Sequence, residues 1–191
     1  MTSAYQLKRV PERFFEGQTD LLTLARQLGD ENLVERLLMC PHMNEPMQPF
    51  WGDVTDSWHQ LSMTSSEKPD ISLWNAGCLL LGQRAHQVLR LHLTADGEFL
   101  PITVDGEPMH VFNCLMWGKE DMSLTEKAYL DGYEDGIATL AFDEADVAEK
   151  MIFKSKLEAG ATLYASAKFK ALVERSGLQG VRFDADLMDP F

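Results

Sequence analysis

The stretch that most constrains the fold is TLYASAKFKALVERSGLQGVRF, from Thr162 to Phe183. It predicts a short strand, a helix and a second strand with a glycine stop between helix and strand. Phe169, Leu172 and Val173 fall on one helical face with Ala165 and Ser176, while Lys168, Glu174 and Arg175 point mostly away. Ser166 stands where an N-cap belongs, so its hydroxyl can accept a first-turn N–H. Gly177 stands where a left-handed residue ends a helix, and Leu178 can then touch Val173 across the stop. Arg175 suits the negative end of the helix. A Ser166–Lys170 catalytic pair is the competing reading. It lacks a Gly-x-Ser-x-Gly elbow, and every polar residue it needs already has a structural task.

CLLLGQRAHQVLRL, from Cys78 to Leu91, repeats the pattern. Leu80 set against Leu163 puts Val88 on Ala171 and Leu89 on Leu172. A diverged duplication and the ordinary pattern of any strand–helix–strand unit both account for this echo. Cys78–Leu81 reads as a strand, and Ala85, Val88, Leu89 and His92 recur at helical spacing. Phe99–Val104 and Met109–Leu115 read as paired strands around Asp105-Gly106, with a turn of two or three residues.

Before Pro69, Tyr5, Leu7 and Arg9 alternate as a first strand. Leu21, Leu24, Ala25 and Leu28 mark one helix; Val34, Leu37 and Leu38 mark another, with Asp30 as its cap. From Pro41 to Pro69 periodicity dissolves into an irregular segment expected to pack Phe50, Trp51 and Trp58 on the core. The chain from Gly118 to Gly136 is polar and poorly periodic. Ile137–Phe142 and Met151–Phe153 read as strands around DEADVAEK. The sum is a single α+β domain over 1–191: a mixed sheet with flanking helices, with two related strand–helix–strand lobes as one form of it.

Lys and Arg number 17 against 30 Asp and Glu, a formal net charge of −13. Such a surface repels nucleic acid and anionic membranes, and it favours either simple solubility or a basic protein partner. Cys40, Cys78 and Cys114 cannot all pair within one chain, which suggests reduced thiols and a cytoplasmic protein. No stretch has the ~20 apolar residues of a membrane helix, and the first residues lack a signal-peptide core. The histidines form no ligand pair of metal-site spacing; Cys40-Pro-His42 would need two more ligands. No glycine-rich phosphate loop occurs. No catalytic, cofactor or metal residue is therefore assigned.

PDISLWNAGCLLLGQRAHQVL, GEFLPITVDGEPMHVFN, MIFK and the opening stretch, with Ser166, Phe169, Lys170, Gly177, Gly180 and Phe183, together resemble a bacterial family of immunity proteins of polymorphic toxin systems. The resemblance covers Pro69 to Phe183. It implies a cytoplasmic, non-enzymatic protein that binds a cognate toxin and blocks it, and it carries no catalytic residues. The alternative is a small hydrolase or transferase whose site converges only in three dimensions. Two surfaces are candidates for the partner. The acidic segment holds Asp131, Glu134, Asp135, Asp143, Glu144 and Asp146 without a basic residue; a solvated face and a carboxylate metal cluster are its other readings. The aromatic segment holds Trp51 and Trp58, for which core packing is the competing reading.

Overall fold

Two copies of one arrangement of strands form the centre of the molecule. The computed structural model describes residues 3–190. In chain order the strands are β1 (Ala4–Arg9), β2 (Glu16–Gly17), β3 (Thr55–Asp56), β4 (Trp58–His59), β5 (Ile71–Leu73), β6 (Cys78–Leu81), β7 (Gly97–Val104), β8 (Glu107–Cys114), β9 (Glu126–Leu130), β10 (Tyr133–Thr139), β11 (Ile152–Lys154), β12 (Leu163–Ser166) and β13 (Val181–Asp184). The helices are α1 (Leu21–Gln27), α2 (Leu33–Met43), α3 (Gln83–Leu93), α4 (Glu144–Val147) and α5 (Ala167–Arg175). A five-stranded sheet runs β3-β7-β8-β6-β5 and a four-stranded sheet runs β11-β12-β1-β13. Only β3 joins its neighbour in parallel, so the fold is α+β with one mixed sheet.

In the first unit α3 connects β6 to β7, and β8 fills the gap between them antiparallel to both. In the second, α5 connects β12 to β13, and β1 fills the gap antiparallel to both. The outer strands β5 and β11 match as well. The echo in the sequence thus corresponds to a shared topology, but its register is corrected. The two N-caps are Gly82 and Ser166. Aligning them sets Leu79 on Leu163, Leu81 on Ala165, Ala85 on Phe169 and Leu89 on Val173, and all eight lie in one core cluster. Leu80, the earlier match for Leu163, faces the other side of its sheet. A slip of one residue in a strand exchanges its faces.

That shared core lies between the two units, where α3 and α5 meet the inner faces of both sheets. A second core covers the far face of the five-stranded sheet, where α1 and α2 cap Leu80, Leu100, Ile102, Val104 and Val111. A third packs Leu140, Phe142 and Val147 on Ala4, Phe153 and Tyr164 of the four-stranded sheet. Strands β6 and β12, covered on both faces, are buried at every residue. This explains the unbroken apolar sequence of β6 and the lack of polar alternation before the Ser166 cap in β12.

The start and stop assigned to α5 hold. Ser166 Oγ accepts the Phe169 N–H at 3.4 Å. Gly177 has φ +62°, and the Gly177 and Leu178 amides donate to Glu174 and Val173 carbonyls. This is the two-bond stop in which a left-handed residue closes the last turn. Asp105 and Gly106 both have positive φ and Val104 pairs with Glu107, so that turn has two residues. Asp30 does not cap α2: it lies two residues before the N-cap Asn32, and its carboxylate accepts from that residue. His92 is exposed, and Leu93 takes its place on the buried face of α3.

Helix α2 corrects a larger expectation, since it runs through Pro41 to Met43. Proline lacks the N–H that would bond Leu37 and ordinarily breaks a helix. Here tertiary contacts hold the last turn. Lys154, wholly buried on β11, donates to the Pro41 carbonyl at 2.7 Å. Gly77 and Gly160 pack so closely on Pro41 that a side chain at either would meet it; a Cβ at Gly77 would stand 3.1 Å from the proline Cβ. Both glycines also have positive φ. Asn44, at φ 51°, then turns the chain away.

Candidate functional site

The segment read as polar and aperiodic contains a β-ribbon. Strands β9 and β10 pair only with each other. Asp131 and Gly132 form their turn with φ of 50° and 85°, the same conformation as Asp105-Gly106. The expected strand Ile137–Phe142 ends instead at Thr139. The ribbon is rooted in the third core, where Ile137 packs and the Thr125 hydroxyl and Ala141 backbone bond each other. Towards the tip, neither face is covered. Leu130 opposite Tyr133 and Tyr129 opposite Glu134 are cross-strand pairs. Tyr129, Leu130 and Tyr133 are 65%, 63% and 80% exposed. Gly136, also at positive φ, sits in an irregularity between Glu134 and Ile137 that twists the arm.

A free two-stranded ribbon is marginal by itself, and large apolar side chains clustered on one mark a surface that meets something. The acidic residues divide along this line. Asp131 at the turn, Glu134 and Asp135 are exposed on the arm. Glu134 bonds Lys127 diagonally across the ribbon at 2.8 Å. Asp143 instead caps α4, accepting the Ala145 and Asp146 amides, and bonds Lys119 at 2.7 Å. The Lys119 ammonium, then the amides, hold its carboxyl below the usual range. Asp146 bonds Lys150 and the Lys119 amide. Burial would raise its pKa, but these donors outweigh it and hold the carboxyl below its usual value. Glu144 is exposed on the first turn of α4. The structure therefore places Asp131, Glu134 and Asp135 on the arm that carries the exposed tyrosines, with Tyr133 and Leu130 on one face and Tyr129 and Glu134 on the other, and gives Asp143 and Asp146 to local folding.

Trp51 and Trp58 belong elsewhere. Both are half-buried against the second core. The Trp51 indole donates to the Pro101 carbonyl at 2.7 Å and meets Trp74 edge-on at 6.2 Å. Trp58 Nε1 is buried with no partner among the described residues. These contacts are those of packing side chains.

Ser166 and Lys170 do not form a catalytic pair. Ser166 is 1% exposed, and Lys170 bonds Glu174 at 3.2 Å rather than the serine. Asp56, Ser57 and His59 do line a cleft. The Asp56 carboxylate, however, serves the Trp74 indole and the Ser57 amide, and His59 stands 3.8 Å from it. No hydrogen bond joins Ser57 to His59, so the relay that activates a serine is missing. Among the described residues no three His, Cys, Asp or Glu are grouped to hold a metal, and no helix is long and apolar enough to cross a membrane. The three cysteines are free and buried. Burial drives the Cys114 thiol up to about 12, where it carries no thiolate at neutral pH.

No protein-family model matches the chain, and no curated protein matches it.

Proposed function

We propose that this protein is a non-enzymatic inhibitor of the immunity type, which binds and neutralises a cognate bacterial toxin in the cytoplasm. The observation that carries the reading is the β9–β10 arm: two tyrosines and a leucine at least 63% exposed, beside three carboxylates. Tyrosine is enriched among residues that dominate binding energy, and a negative patch on a strongly negative chain steers a basic partner. The resemblance of Pro69–Phe183 to immunity proteins supports the same function.

The test takes the toxin domain encoded beside this gene and measures association by stopped flow at two salt concentrations. Changing Asp131 and Asp135 to Asn and Glu134 to Gln should slow association more than it speeds dissociation. Tyr133→Ala should speed dissociation, with a loss of about 2 kcal/mol if the ring is a central anchor. Neither change touches a buried group, so the thermal midpoint should hold. An arm variant that binds like the parent would remove the arm from the interface. Catalytic turnover of a small substrate by the purified protein would favour the hydrolase or transferase reading.

A further inference from the structure

Beneath α1 and α2, beside the turn from Trp74 to Cys78, lies a cavity of about 290 Å³. Leu24, Leu37 and Trp74, each at most 4% exposed, form its apolar interior. An apolar cavity of about 150 Å³ already holds benzene, so this one has room for a branched aliphatic chain and a polar head. The polar lining is specific. Thr19 is buried, and its hydroxyl has no partner among the described residues. Arg9 borders the cavity as well, with its Nε 2.9 Å from the buried Glu16 carboxylate. Asp20 accepts the Thr23 amide at 3.0 Å, and the Thr23 hydroxyl, then that amide, hold its carboxyl below the usual range. One cation and one anion thus border the same apolar chamber. Small-molecule sites have this composition: an apolar body and a few placed polar groups.

We infer that this cavity binds a small zwitterion with an apolar tail, a free α-amino acid of the leucine type. Its carboxylate meets the terminal nitrogens of Arg9, its ammonium meets Asp20, and its side chain lies against Leu24, Leu37 and Trp74. An amine or a carboxylic acid alone satisfies only one of the two charges. The site is separate from the β9–β10 arm and stands whether or not the arm docks a toxin.

The experiment titrates the ¹⁵N-labelled full chain with L-leucine, 4-methylpentanoate and 3-methylbutylamine, following amide, indole and side-chain NH₂ resonances. L-leucine should move the Trp74 indole and Asn75 side-chain signals saturably. Each one-charge probe should bind at least about tenfold more weakly, since a charge-assisted hydrogen bond is lost. Asp20→Asn keeps a side chain able to cap α1. It should weaken L-leucine about tenfold without weakening 4-methylpentanoate. Ala76→Phe, at an exposed position on the rim, should abolish the shifts while the rest of the spectrum stays folded. Three results would each overturn the assignment. They are no saturable shift for L-leucine at millimolar concentration, equal affinity for all three probes, and binding that survives Ala76→Phe.

Discussion

Replacing Lys154 with Met tests what a buried ammonium does in this fold. The side chain is fully buried, donates to the Pro41 carbonyl at 2.7 Å and lies 5.0 Å from the centre of the Trp117 ring. It makes no ion pair with any carboxylate among the described residues. Burial, the largest influence, pushes its pKa below the ordinary 10.5. In the unfolded chain the amine recovers the ordinary value, so the unfolded state binds the proton more tightly. Stability therefore rises with pH between the folded and unfolded values, and the cost of the buried charge is fully present below the folded value. The slope is at most about 1.4 kcal/mol per pH unit.

Methionine has similar length and no charge. It removes the burial cost but also one charge-assisted hydrogen bond, worth about 1.5–3 kcal/mol, and leaves the Pro41 carbonyl unserved. Apolar replacement of buried ionic groups is commonly neutral or stabilising by about 1–4 kcal/mol. The expected result at pH 7 is thus a variant as stable as the parent or about 1–2 kcal/mol more stable. Urea denaturation of both proteins from pH 7 towards the ordinary lysine value measures this, and the advantage of Lys154→Met should shrink as pH rises from the folded value to 10.5. Cysteine titration enters both proteins and largely cancels in the difference. A variant destabilised by more than about 3 kcal/mol at every pH, with no trend, would show that the ammonium is a net stabilising cap.

Ser166→Ala should cost about 0.5–2 kcal/mol by chemical denaturation and leave partner affinity unchanged, because the hydroxyl serves the first turn of α5. Gly177→Val should lower the thermal midpoint more than Gly177→Asn, since φ is +62° there and asparagine tolerates that region. The stacked rings of His86 and His110, 3.6 Å apart, are held neutral by burial, with His110 and Arg90 adding repulsion at His86. Their folded pKa values lie below the unfolded 6.5. The stability they confer is present above that pH and is lost as pH falls through the folded values. His86→Asn should flatten the fall in stability between pH 6.5 and more acidic solution, measured by urea midpoints.

Sequence and structure agree where a local cause is sufficient. The cap at Ser166, the stop at Gly177 and the turn at Asp105-Gly106 depend on one or two residues, and each is legible in the letters. Pro41 misleads because the contacts that keep α2 intact come from Lys154, Gly77 and Gly160, far along the chain. The β9–β10 arm escapes for the opposite reason. It buries almost nothing, so no alternation of apolar and polar residues marks it, and only the Asp131-Gly132 pair signals its turn. The six acidic candidates share a segment of sequence, but three of them, Glu134, Asp143 and Asp146, meet basic partners outside it: Lys127, Lys119 and Lys150. Arg9 and Asp20 were not singled out, since a strand residue and a helix cap meet at one cavity only through packing.

The strand that completes the second unit comes from the opposite end of the chain, and this has a kinetic consequence. In the first unit β7 and β8 are joined by a two-residue turn, so that sheet can zip from a local nucleus. In the second, Ala4 must find Ser166 and Arg9 must find Val181. Loop closure becomes costlier by about 0.6 kcal/mol with each doubling of the intervening chain, and distant pairings slow folding. On the ribosome β1 emerges first and waits unpaired until β12 and β13 follow. A permuted gene that places β1 directly after β13 would turn this distant closure into a local one. It should accelerate refolding while leaving the same strands side by side.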